Sequence, residues 1–171
     1  YLGGETAGLT ADLIGLESIL VFHAGGVTVK VNKATDGAGA ATTKLDWDSL
    51  ATTGTTGLPL AALTIDRALD LHADGTVALN ALSGVLVASG GFALDLGQVS
   101  TVAANNGLSF TDASAVSITL SGVGVFVGTG GSLSDATSTA SVVNGSLGFA
   151  GSVTTLKVVS IKDTNGTALD T

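Results

Sequence analysis

The sequence has no cysteine, one proline, one tryptophan, one tyrosine and only six lysine and arginine residues in 171. Without cysteine there is no disulfide, no thiolate metal site and no thiol nucleophile. The six cations are scattered singly, so there is no electrostatic footprint for nucleic acid and no basic cluster of the kind that binds a membrane surface. No apolar run approaches the roughly 18–20 residues of a transmembrane helix; the longest, 18–22 and 123–127, are of strand length. Aromatic residues make up 4% of the chain, too few to line the cleft of a glycoside hydrolase. The two histidines, His23 and His72, lie far apart, and no GxSxG elbow accompanies them. These absences together read as a chain that is not an enzyme.

What is present is apolar and small. Hydrophobic residues make up 45% of the chain, charged residues 12% and the net charge is −8; the charged share is about half that of an ordinary soluble domain. Mean hydropathy is +0.56. Such a chain stays soluble only if its apolar side chains are inside, or if an assembly covers them. Its length suits one domain, 1–171, for an all-β chain. The chain starts at Tyr1 without a signal-peptide pattern, and reads as a piece of something longer.

The middle of the sequence repeats itself. Ala68-Leu-Asp-Leu71 returns as Ala93-Leu-Asp-Leu96, and Leu82-Ser-Gly-Val85 returns as Leu120-Ser-Gly-Val123. Alternation of apolar and polar residues marks strands, expected at 18–24, 27–33, 65–73, 76–81, 84–88, 92–96, 114–120, 123–127, 146–151 and 154–162. Gly25-Gly26, Asp74-Gly75, Asn144-Gly145 and Asn165-Gly166 read as tight hairpin turns. Residues 1–10 read as a connection, and 43–51 as a short helix or an irregular strand. Tight hairpins imply antiparallel neighbours. The expected fold is therefore an all-β, antiparallel β-sandwich or an extended repetitive two-layer β structure; a β-solenoid is the alternative. Its core is expected from the alternating aliphatics, among them Ile65, Leu71, Val77, Val87, Leu94, Ile118, Phe149 and Val158.

Candidate chemistry is sparse. Asp163, Asn165 and Asp170 place oxygen ligands close together, as calcium requires, while Asn165-Gly166 explains part of the same stretch as a hairpin turn. Asp46 and Asp48 around Trp47 form a weaker partial site. Trp47 itself reads either as a packing residue at one end of the fold or as a sugar-stacking ring. His72 is expected on the polar face of its strand, paired with Asp70, and His23 at a turn.

The segments at 29–36 (VKVNKATD), 44–47 (KLDW), 76–84 (TVALNALSG), 92–99 (FALDLGQV) and 123–133 (VGVFVGTGGSL) resemble the repeats of giant bacterial repetitive proteins, which are long adhesin-like surface or secreted chains. The resemblance lies in phrasing across most of the chain and carries no catalytic motif. It implies export, an extracellular or cell-surface location, and a role as stalk, fibre subunit or adhesin scaffold. The chain would then be one unit of a tandem array, with neighbouring copies of the same module as partners and cell-surface glycans as a further candidate. An apolar ligand is the other alternative. The sequence departs from calcium-loaded nonapeptide repeats, since Gly130-Gly-Ser-Leu-Ser-Asp135 is a single partial echo. If modules are contiguous, the two chain ends should lie at opposite poles.

Overall fold

The structure, a computed structural model, describes residues 1–52, 57, 60–101 and 110–163. It is all-β and antiparallel, as expected. Six long strands form one sheet in chain order: β1 (Leu2–Asp12), β2 (Leu20–Lys33), β3 (Leu69–Ala81), β4 (Leu86–Thr101), β5 (Phe110–Thr129) and β8 (Leu147–Lys162). Between β5 and β8 the chain makes an excursion containing two short paired strands, β6 (Ser132–Leu133) and β7 (Val142–Val143). The short-helix alternative holds at α1 (Trp47–Thr52). Its start is set by Asp46, whose carboxylate accepts from the Ser49 amide at 3.2 Å, the role of an N-cap.

The strands are much longer than anticipated, and the reason is the glycines. Gly25-Gly26 does not turn the chain; β2 runs straight through it. Asp74-Gly75 likewise sits inside β3. The expected pairs 65–73 with 76–81, 84–88 with 92–96, 114–120 with 123–127, and 146–151 with 154–162 each merge into one strand. Residues 1–10 are strand rather than connection. What the sequence presents as interruptions are mostly bulges: the register slips between Thr6 and Leu9, between Gly25 and Thr28, and between Ser89 and Gly91. Gly8, Gly26 and Gly122, at positive φ, accompany these slips. A bulge inserts one residue and bends its strand, so bulges at one level across neighbouring strands bend the sheet along a line.

Two features do turn the chain. Leu82-Ser83-Gly84 links β3 to β4 with φ of 54°, 55° and 89°, the positive values a tight hairpin requires. A Cβ on Gly84 would collide with the Gly131 carbonyl. Asn144-Gly145 lies in the connection from β7 to β8, where the Ser146 amide donates to the Thr129 carbonyl at 3.0 Å. Asn165-Gly166 lies outside the described residues.

Register and alternation assign the side chains of the sheet to two faces. On one face a row crosses all six strands as Glu5, Lys30, His72, Asp95, Ser117 and Val159. On the other the neighbouring row is Thr6, Val29, Ala73, Leu94, Ile118 and Val158. Among the described residues only the first face is covered. Leu45, Trp47 and Thr64–Asp66 of the connection between β2 and β3 lie over one end of it, and the 132–143 excursion over the other. The covered face holds fully buried side chains such as Val87 at 0% exposed and Phe126 at 2%. The ring of Phe126 occupies a cradle in which Gly128, Gly131 and Gly148 leave room for it. Ile65, also expected in the core, is 0% exposed, but it belongs to the covering connection rather than to a strand.

The second face is open among the described residues. Its aliphatic row is half-buried by lateral neighbours in β2–β4 and exposed toward β8, where Ile118 is 39% and Val158 50% exposed. Leu71, Leu94, Ile118, Phe149 and Val158, expected in a core, thus share one side of the sheet, with no second layer over them among the described residues. Phe149 is 78% exposed.

Candidate functional site

The polar groups of the covered face form two clusters. The first is the row itself. Lys30 Nζ donates to the Thr64 hydroxyl at 2.6 Å and to the Thr64 carbonyl at 3.1 Å, and lies 3.2 Å from Glu5. Glu5 in turn accepts from the Thr64 amide and hydroxyl, both at 2.8 Å. These Thr64 bonds, the amide first, hold the Glu5 carboxyl below its usual range, with Lys30 adding to the effect. The arrangement fastens the 34–66 connection onto β1 and β2.

Next in the row, His72 is held by two carboxylates. Its Nδ1 is 2.6 Å from Asp95, directly across on β4, and its Nε2 is 2.8 Å from Asp74, two residues along β3. The Asp95 hydrogen bond pulls its pKa above the ordinary histidine value, partly opposed by burial, and Asp74 adds to the rise. The partner is therefore not Asp70, as expected from the sequence; Asp70 sits at a bulge and pairs with Lys44 at 2.7 Å. With both nitrogens facing carboxylates, the imidazolium donates on either side. That is charge pairing, with neither ring nitrogen left to act as a base.

His23 is not at a turn. It lies within β2, opposite Asp12 of β1, with Nδ1 2.6 Å from that carboxylate. Its Nε2 is buried beneath the 132–143 excursion without a hydrogen-bond partner among the described residues.

The second cluster centres on Asn32, which is 2% exposed. Its amide nitrogen donates to the Leu45 and Asp66 carbonyls at 2.9 and 3.0 Å, and its oxygen accepts from Trp47 Nε1 at 3.0 Å. The Trp47 ring lies on β1 where Gly3 has no side chain; a Cβ there would come within 2.5 Å of it. Packing, rather than open display, is what this structure gives Trp47. Nothing in the sequence marked Asn32; an Asn in an otherwise Val-Lys alternation was its only signal.

At the other end of the covered face, a groove of about 590 Å³ runs between the sheet and the excursion, where hydroxyls such as Thr76, Ser121 and Ser138 alternate with glycines and with aliphatic Val123, Val142 and Val153. Thr76 and Ser138 bridge it, hydroxyl to hydroxyl at 2.9 Å.

Of the calcium candidates, Asp163 directly follows β8, while Asn165 and Asp170 lie outside the described residues. Asp46 caps α1. Among the described residues no group of three or more histidines and carboxylates is arranged to hold a metal, and no helix is long and apolar enough to cross a membrane. No family model matches the chain, and no curated protein or solved structure is significantly similar to it.

Proposed function

We propose that this chain is a structural repeat module of a long extracellular or cell-surface bacterial protein, serving as stalk, fibre subunit or adhesin scaffold and not as a catalyst. The observation that carries the reading is the geometry of the two sheet edges. The sheet is a meander in strict chain order, with β1 and β8 at its margins. Following the register across, Glu5 stands level with Val159, so β1 begins at the end of the strands where β8 finishes. The start of β1 and the end of β8 thus lie at opposite edges but the same strand end. A following copy could set its own β1 antiparallel beside β8, with 163–171 as the connection.

The charges suit that placement. β8 carries Lys157 and Lys162 and no carboxylate; β1 carries Glu5 and Asp12 and no cation. In this register the next copy's Glu5 is diagonal to Lys157 on the same face, within reach of long side chains. A 16-residue β8 would gain a partner for an edge that pairs with no other strand among the described residues and that otherwise invites indiscriminate pairing. The low charge and the absence of cysteine support an exported setting. In a two-copy chain joined through 163–171, the outward-pointing amides of the first β8 should exchange with solvent far more slowly than in the single module. Equal exchange in the two would overturn the proposal.

A second reading, a binding module for surface carbohydrate, is favoured by the groove's uncharged mixture of hydroxyls and aliphatic side chains, which suits a neutral sugar better than an ion. NMR titration with neutral oligosaccharides should then shift Ser89, Ser121 and Ser138 resonances together; no shift at millimolar ligand would remove this reading.

A further inference from the structure

We infer that the open face of the sheet is covered by the same face of a second copy, forming a two-layer sandwich of two six-stranded sheets. The size of the face is the first ground. Six strands about 4.8 Å apart, each contributing about ten residues at about 3.3 Å per residue, span about 900 Å². A monomer's largest exposed apolar patch is ordinarily about 300–600 Å². A stable interface takes about 800 Å² from each partner.

The second ground is where the charge lies. The chain carries a net charge of −8, so two copies repel unless they meet through neutral surface. Glu5, Asp12, Asp74 and Asp95 all fall on the covered face, and Asp135 is on the excursion above it. Across the open face the row at Leu94 is Thr6, Val29, Ala73, Leu94, Ile118 and Val158, and the next row is Gly4, Val31, Leu71, Leu96, Val116 and Ser160. Neither row contains a charge; the two cations that the register places on this face, Lys33 and Lys162, stand one row further, at its margin. A neutral, apolar patch can face its own copy about a twofold axis, because self-matching then sets no two like charges together. Sheets packed this way stand about 10 Å apart. The edges β1 and β8 remain free, so the inference holds whether or not modules follow one another in tandem.

The test begins with sedimentation of the single module, which should give twice the 16.5 kDa chain mass. Leu94→Asp with Ile118→Asp should give the single mass with β circular dichroism retained. Thr119→Asp, which puts the same charge on the covered side, should leave the double mass unchanged. Should the double variant fail to fold, the cysteine-free background allows a nitroxide on Leu94→Cys, which should report a short distance to its counterpart, set by the sheet spacing. A wild-type chain that stays monomeric at millimolar concentration overturns the inference. So does a dimer whose Leu94 labels remain far apart, or a monomer that floats with neutral lipid vesicles, which would make a lipid surface the occupant.

Discussion

Two faces of one sheet, one residue out of step with each other, meet opposite fates. Lys30 and His72 point to the side where connections fold over, and there both find carboxylates, with the Thr64 hydroxyl and carbonyl as further acceptors for Lys30. Their chain neighbours Val29 and Ala73 point to a side where nothing in the described residues packs. The more polar face is thus the buried one and the more aliphatic face the open one. Hydropathy patterning tells which side of a strand is apolar; it does not tell what covers it. In this chain the cover for the charged side comes from its own loops, held by Thr64, Asn32 and Thr76.

This contrast can be broken most forcefully at the aromatic pair Phe126 and Phe92. Phe126→Ala empties a glycine-lined cradle on the covered face and should cost about 3–5 kcal/mol, read as a lowered urea midpoint. Phe92→Ala lies on the open face, half-buried by its lateral neighbours; in dilute, monomeric protein it should cost about 1 kcal/mol, a surface-like value. Equal losses would mean that the two faces are equally covered.

Asn32→Leu should come next. It leaves the Leu45 and Asp66 carbonyls and the Trp47 indole without their partner, about 1–3 kcal/mol for buried groups left unpaired. The 34–66 connection should loosen first, so Trp47 fluorescence should shift to the red at denaturant concentrations where the sheet still persists.

His72 gives a smaller, pH-dependent effect. Its folded pKa is raised above the unfolded value of about 6.5. The pair with Asp95 and Asp74 therefore contributes fully below that value and is lost as pH climbs through the folded pKa. The melting temperature should decline from pH 6 to pH 9, and His72→Gln should flatten that decline. With partners that are 49% and 41% exposed, the change should be about 1 kcal/mol or less.

Glu5→Gln should be smallest. The lowered Glu5 pKa means its contribution is present above about 4.5 and fades as pH falls through the folded value. The variant should weaken the protein at neutral pH by about 0.5 kcal/mol and make its acid unfolding slightly less steep.

The β class, the antiparallel pairing and most strand centres were legible in the alternation of residues such as Val27, Val29 and Val31. Strand length was not. Leu82-Ser-Gly-Val85 and Leu120-Ser-Gly-Val123 are identical in sequence and share a positive-φ glycine, at 89° and 56°. Yet the first turns the chain back, and the second is a bend inside β5. The difference lies in the neighbours. Gly84 meets the Gly131 backbone at a sheet end, whereas Gly122 has strands on both sides to carry the ladder onward. Asp74-Gly75 has the sequence of a turn but not the structure for the same reason: Gly75 makes room for Val27 of the adjoining strand, a contact invisible along the chain. The polar row was half legible. His72 and Asp95 each stand on the polar side of an alternating run, but only the register of β3 against β4 brings them together.

The central claim is that adjacent residues of one strand differ in cover. Val87 is 0% exposed on the covered face and its neighbour Leu86 is 37% exposed on the open one. In a chain without native thiols, single substitutions Val87→Cys and Leu86→Cys can be compared by their rates of modification with a soluble disulfide reagent at micromolar protein. The account predicts rapid reaction at 86, slowing as protein concentration rises, and reaction at 87 only as fast as the protein unfolds. Equal rates at the two positions, at every concentration, would contradict it.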